Sequence, residues 1–156
     1  MADPAEHDAT SGPPPDDFRE HSLGYQVNLL ARMMEHALAE RIRPHGVVPG
    51  QFAQLLTLYR SDGLSVTELA SAVAIEHSTM SRTVERMVRD DLVTTKDNPS
   101  DGRRRNIFLT DTARALEGTL KAEAQAVNDM FLDRMSHDEL EELLRLLKKA
   151  VDSRST

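Results

Sequence analysis

Apolar residues recur at Leu23, Val27, Leu30, Met34 and Leu38, and these steps of 4, 3, 4 and 4 predict one long helix over about 18–43 with a single apolar stripe. Pro44, Gly46 and Pro49 break it. Phe52, Leu55, Leu56 and Tyr59 predict a second helix over 50–60, which Ser61-Asp62-Gly63 ends. Ser65-Val66-Thr67-Glu68 is a capping box, and the helix it opens carries Val66, Leu69, Ala70 and Val73 on one face. After a break at 74–76 the pattern predicts another helix over 77–89. The period then changes. Residues 92–96 and 105–109 are rich in Val, Thr, Ile and Phe and predict two strands. Asn98-Pro99-Ser100-Asp101-Gly102 is dense in turn formers, so the pair is expected to be a hairpin with a long loop. Helical spacing returns with Ala113, Leu116, Leu120, Ala124, Val127 and Phe131. A second capping box, Ser136 to Glu139, opens a helix bearing Leu140, Leu143, Leu144, Leu147 and Val151. The expected fold is mainly α with a small β-hairpin.

The helix over 77–89, HSTMSRTVERMVR, carries the most informative chemistry. Met80, Val84, Met87 and Val88 form an inward stripe, while Ser78, Arg82, Glu85, Arg86 and Arg89 share the other side. Positions 82 and 84 are about 200° apart, so arginines and core residues nearly oppose each other. Such a helix anchors itself with one face and presents hydroxyls and guanidinium groups on the other, which is what a DNA major groove requires. In isolation a charged face of this kind is more often merely solvated. Here a second helix precedes it at helix-turn-helix spacing, and a hairpin containing Arg103-Arg104-Arg105 follows it. A winged helix-turn-helix unit is therefore expected over 47–110. It is flanked by an N-terminal helix over 18–46 and C-terminal helices over 111–156, both long and apolar enough to dimerise.

Charge first argues against this reading and then for it. The chain has 19 Lys and Arg against 26 Asp and Glu, a net charge of -7. Residues 1–20 hold six acids against one base, and residues 106–156 hold ten acids against seven bases. Residues 78–105 hold seven bases against five acids and are net positive. The first seventeen residues, with four prolines, five acids and Met1 as their only large apolar side chain, are expected to be a disordered tail.

Several function classes fall away. Without cysteine there is no disulfide scaffold, thiolate zinc site, cysteine nucleophile or thiol redox sensor. Aromatics are 4% with no Trp, which disfavours stacking platforms for single strands. No apolar run reaches the ~18–20 residues of a membrane span, and the acidic, proline-rich start does not resemble a secretory signal, so a cytoplasmic protein is expected. The sequence contains no phosphate-cradling glycine loop, no nucleophile elbow and no zinc-protease helix, so enzymatic activity is not expected. His36 and His45 are nine apart across a Pro-Gly break and make a poor zinc pair; no metal or cofactor is expected.

The helix pair Leu69-Ala70 with Ser78-Thr79-Met80-Ser81-Arg82, the wing Asp97-x-Pro99-x-Asp101-x-Arg103 and the following Ile107-Phe108-Leu109-Thr110 resemble the MarR family of transcriptional regulators. The likeness covers about 18–152. It implies a homodimer that binds double-stranded DNA, each recognition helix in a major groove and each wing in the flanking minor groove. Ser78, Thr79, Ser81 and Arg82 would face bases or nearby backbone, with Arg86 closer to the phosphates. Arg103 would be the wing-tip arginine, with Asp101 pairing with it to hold its orientation; Arg104 would be a further wing contact, and Lys96 would take a phosphate contact. Three positions depart from the family pattern. Asp91 and Ala113 stand where glycines are usual, and Thr94-Thr95-Lys96 stands where an arginine closes the first strand. Family members commonly act as repressors released by a small phenolic or anionic ligand. Candidate lining residues are Tyr25, Met33, His36, His45 and Phe52, each also explicable as core or surface. The alternative to a DNA reader is a winged helix that binds protein.

Overall fold

The computed structural model describes residues 17–153, with Asp17 and Arg103 as backbone alone. The tail expected at 1–17 lies outside the described residues, apart from Asp17. The elements are α1 (Asp17–His21), α2 (Leu23–Ile42), a 3-10 turn (Arg43–His45), α3 (Pro49–Arg60), β1 (Leu64–Ser65), α4 (Val66–Ala72), α5 (His77–Arg89), β2 (Val93–Asn98), β3 (Asp101–Leu109), α6 (Asp111–Leu132) and α7 (His137–Asp152). Among the described residues no helix is long and apolar enough to cross a membrane. The chain divides at Met33 and Met34 into two compact units.

In the first unit the expected long helix is interrupted. Ser22 separates α1 from α2, because its Oγ accepts the Tyr25 N–H at 3.3 Å and serves as a fresh cap. Gln26 Nε2 bridges the break by donating to the Arg19 carbonyl at 3.0 Å. Leu23, Val27 and Leu30 are exposed.

The second unit holds the core, in which Ile42, Val47, Leu55, Leu58, Leu69, Met80, Met87, Leu92, Ile107 and Leu120 are all buried. Its sheet is antiparallel with strand order β1-β3-β2. The two-residue β1, which pairs Leu64 with Ile107 and Ser65 with Asn106, was not expected. Two residues are too few to show alternation, and Ser65 is also the cap of α4. Gly63 leads into β1 at φ +81, and a Cβ there would sit 2.9 Å from the Phe108 ring. Only glycine meets both demands.

The hairpin also corrects the expectation of a long loop. Both strands extend further than 92–96 and 105–109, leaving Pro99 and Ser100 as the turn. The turn formers are concentrated in this tight tip, where Asn98 Oδ1 accepts the Ser100 N–H at 2.8 Å and Asn98 Nδ2 donates to Asn106 Oδ1 at 3.2 Å. The register jumps there. Asp97 pairs with Arg105 and Asn98 with Asp101, so Gly102, Arg103 and Arg104 form a bulge on β3.

Helices α4 and α5 both end in a left-handed residue. Ile75 N–H reaches the Ala70 carbonyl while Ala74 N–H reaches Ser71, and Leu92 N–H reaches Met87 while Asp91 N–H reaches Val88. This is the Schellman arrangement, usually closed by glycine. Here Ala74 and Asp91 occupy it at φ 54 and φ 56. Asp91 is the position singled out from sequence; Ala74 was not. At the base of the wing Thr110 caps α6, its Oγ1 accepting the Ala113 N–H at 3.1 Å. Ala113 is fully buried, and its carbonyl accepts the Tyr59 hydroxyl at 2.6 Å. The second capping box forms as expected, Ser136 with Glu139, yet no residue of α7 is buried.

Candidate nucleic-acid interface

Helix α5 is held by Met80, Thr83, Val84 and Met87, all buried. Val88, expected on this stripe, is instead 44% exposed. Thr83 takes its place in the packed face because its hydroxyl is satisfied within the helix by the Thr79 carbonyl at 3.0 Å. Val88 lines a groove with Ser81, Glu85, Arg89 and the wing residues Thr95 and Arg105. The end of α5 is tied down by Gln51 Nε2, which donates to Asp90 Oδ2 at 2.6 Å. The outer face of α5 carries Ser78, Thr79, Arg82, Glu85, Arg86 and Arg89, all exposed. Ser81 is half-buried, and its hydroxyl donates to the His77 carbonyl at 2.9 Å. Arg86 lies back on its own helix, with Nη2 3.4 Å from Thr83 Oγ1. Of the five residues expected on this helix, Ser78, Thr79 and Arg82 thus have the most open side chains.

The wing has a well-held base. Gly63 N–H donates to the Ile107 carbonyl at 2.9 Å, and Asp62 Oδ1 accepts the Leu109 N–H at 2.9 Å. The other Asp62 oxygen takes Arg114 Nη2. Thr110 and Thr112 donate their hydroxyls to the Asp91 carbonyl and carboxylate, both at 2.7 Å. Farther out, Lys96 Nζ lies 5.2 Å from the centre of the Phe108 ring. Arg105 Nε is 3.6 Å from Asp97, and Arg104 Nε is 3.4 Å from Asp101. Exposed pairs of this kind contribute about 0–1 kcal/mol, so a phosphate can replace the carboxylate at little cost. Arg103 sits in the β3 bulge between Gly102 and Arg104.

A recess joins the two basic segments. It is lined by Ser65, Val66, Thr67, His77, Arg104 and Arg105. Thr67, His77 and Arg105 were not among the expected contacts, although Arg105 stands in the basic run and His77 adjoins Ser78. Glu68, nearby, is held below the usual carboxylate value, chiefly by hydrogen bonds from the Ser65 hydroxyl and N–H and also by the Arg104 charge.

The expected ligand residues disperse. A cleft of about 440 Å3 opens between α2, α3 and α6, bounded by Met34, Leu38, Phe52, Leu56 and Val127, with Glu35 and Asn128 as its polar members. Phe52 is a candidate that lines it. His36 is exposed and lies 3.7 Å from Glu40, while His45 is half-buried and 3.7 Å from Glu123, which also takes Arg41 Nε at 2.8 Å. Tyr25 lies under the Arg19 guanidinium, 5.9 Å from its ring centre, and Met33 is exposed. Among the described residues no group of three or more His, Asp or Glu is placed to hold a metal ion.

Comparison with known proteins agrees with this geometry. The MarR family model matches residues 45–104, from the end of the 3-10 turn to the wing tip. A MarR transcriptional regulator from Methanosarcina mazei Go1 superposes with a TM-score of 0.79 at 25% identity, over 83% of this chain and 94% of that one. A probable transcriptional regulator from Pseudomonas aeruginosa gives 0.78 at 26%, over 84% and 98%. The transcriptional repressor CouR, solved bound to a 23-mer DNA duplex, gives 0.80 at 23%, over 86% and 96%, and shares the fold. The chain is thus similar to the MarR family model across its winged unit and to solved regulators of 25–26% identity over more than four fifths of its length.

Proposed function

We propose that this chain is a transcriptional regulator that reads double-stranded DNA as a homodimer and represses from a pseudo-palindromic operator. The observation that carries the reading is the division of α5. One face is locked into the core by Met80, Val84 and Met87, and the other offers Ser78, Thr79 and Arg82 to solvent beside a basic wing. Arginine forks suit guanine edges, and hydroxyls suit bases or phosphates. Arg103 and Arg104, with Asp101 and Lys96, supply the wing contacts, in keeping with the preference of narrow minor grooves for arginine. The fold shared with a DNA-bound repressor supports the same reading. Dimerisation is supported by the exposed Leu144, Leu146 and Val151 of α7 and, on α2, by the exposed Leu23, Val27 and Leu30. The cleft beside Phe52 is the place for a small releasing ligand.

Selection of bound sequences from a random duplex pool tests the reading. The expected product is two half-sites about one helical turn apart. Arg82→Ala is expected to cost about 1–3 kcal/mol and relax preference at one position. Arg103→Ala weakens binding without altering the dimer's mass. A pool that yields no enriched duplex overturns the reading and favours a winged helix that binds protein.

A further inference from the structure

The recess between the start of α4, the start of α5 and β3 has a volume of about 310 Å3, near the lower end of ligand-sized sites. Its ionisable lining is basic: His77, Arg104 and Arg105. Thr67 adds an exposed hydroxyl, whereas the Ser65 hydroxyl is already committed, donating to Glu68 Oε2 at 2.6 Å. Three acids border it, and two of them pair with its own arginines, so a bound phosphate competes with exposed carboxylates at Nε. Glu68 accepts from Ser65 N–H at 2.8 Å as part of its helix cap, Asp97 meets Arg105 at Nε, and Asp101 meets Arg104 at Nε. A guanidinium has five donors, so an Nε contact does not exhaust it.

We propose that this recess seats one phosphodiester of the DNA backbone, gripped by Arg104 and Arg105 with Thr67 and His77 as its walls. The inference rests on the duplex-binding reading above and adds a contact that ties wing to recognition helix. A phosphodiester offers two acceptor oxygens and one negative charge, and it needs donors only; two guanidinium forks with a hydroxyl and an imidazole provide them. The walls are otherwise polar apart from Val66, which disfavours an apolar ligand. Position selects the backbone as the source of the phosphate. His77 directly precedes Ser78 and Thr79, and Arg104 directly follows Arg103, so the seat lies between the two segments assigned to the duplex. A phosphate held there fixes the wing and α5 in one register without reading sequence.

A methylphosphonate scan of the selected operator, bound by the full-length protein, provides the test. Neutralising one phosphate per half-site is expected to weaken the wild type about tenfold, the size of one charge-assisted hydrogen bond. The same replacement should leave the variant carrying both His77→Gln and Arg105→Gln nearly unaffected. That variant should also lose about 0.9 from the log–log salt slope for each phosphate contact removed. His77 and Arg105 are both exposed, so the variant is expected to keep its fold, and an unchanged melting transition checks this. Additive effects at every position, with an unchanged slope, overturn the seat while leaving duplex binding intact. Inorganic phosphate is the comparison arm. Saturable shifts of the His77 ring resonances by phosphate, without any coupling in the scan, also overturn the proposal and assign the recess to a small phosphorylated compound. If no duplex is bound at all, the seat falls together with the reading it rests on.

Discussion

Helices α5 and α7 are both strongly amphipathic, and the structure treats their apolar stripes in opposite ways. In α5 the stripe of Met80, Thr83, Val84 and Met87 is buried by the protein's own α3, α4 and wing. In α7 the stripe of Leu140, Leu143, Leu144, Leu147 and Val151 includes no buried residue, and Val151 is 70% exposed. Periodicity reports that a face wants covering; it does not report whose atoms cover it. The α5 stripe is a core feature of one chain, while the α7 stripe is left uncovered by it, as the proposed homodimer requires.

Substitutions that treat the two stripes alike should separate them. The largest effect is expected at Met87→Ala, which opens a cavity in a fully buried site and should cost about 2–5 kcal/mol in chemical denaturation. If the proposed homodimer forms through α7, Leu144→Asp leaves the protomer's melting cooperative but raises the dimer dissociation constant roughly 100-fold or more, as a charge placed in an apolar interface costs a few kcal/mol. Sedimentation measures it. Were Leu144→Asp to unfold the protomer as Met87→Ala does, both stripes would be core and the contrast would vanish.

A third measurement probes the seam where α3 meets α6. Burial pushes the Tyr59 hydroxyl up to about 12, with the Glu117 charge adding to the effect. A group whose folded value is raised keeps its proton better when folded. Its contribution is complete below the ordinary value of 10 and is lost as pH climbs through about 12. Denaturation midpoints should fall across that window, and the Tyr59→Phe variant should lack this component while losing about 1 kcal/mol at neutral pH with its hydrogen bond to Ala113. The smallest effect belongs to the two Schellman turns. Ala74→Gly relieves a left-handed alanine and should stabilise by about 0.5–1 kcal/mol in thermal unfolding. Asp91→Gly should gain less, since it forfeits the bond from Thr112.

Much of this arrangement was legible in the sequence, and the failures share a cause. The bounds of α5 and both serine capping boxes follow from patterns within a few residues, whereas the left-handed Asp91 was implied by the resemblance, which has a glycine there. The break at Ser22 was missed because the apolar spacing continues across it. β1 was missed because pairing with β3 defines it and its two residues carry no period. The wing strands were cut short because Asn98 and Asp101 are strong turn formers that the register jump nonetheless keeps in the ladder. On the outer face of α5, Thr79 came from the resemblance, whereas Ser78 and Arg82 could be chosen by angle around the helix. The recess residues Thr67, His77 and Arg105 could not, since they meet only through the fold.

The anchoring of the wing has a mechanical consequence. Asp101 pairs with Asn98 and Leu109 with Val93, five steps apart along β2, so at about 3.3 Å per residue the bulged tip stands roughly 17 Å from its root. The root is clamped by Asp62, Gly63, Asp91 and Thr110, whereas the tip ends in a two-residue turn. Such a hairpin is a lever, and a tilt of about 7° at the root carries the tip roughly 2 Å, enough to break a hydrogen bond. The joint between Asp62 and Arg114 is thus the fulcrum of the wing, where a small displacement of α6 gives the greatest travel at Arg103 and Arg104.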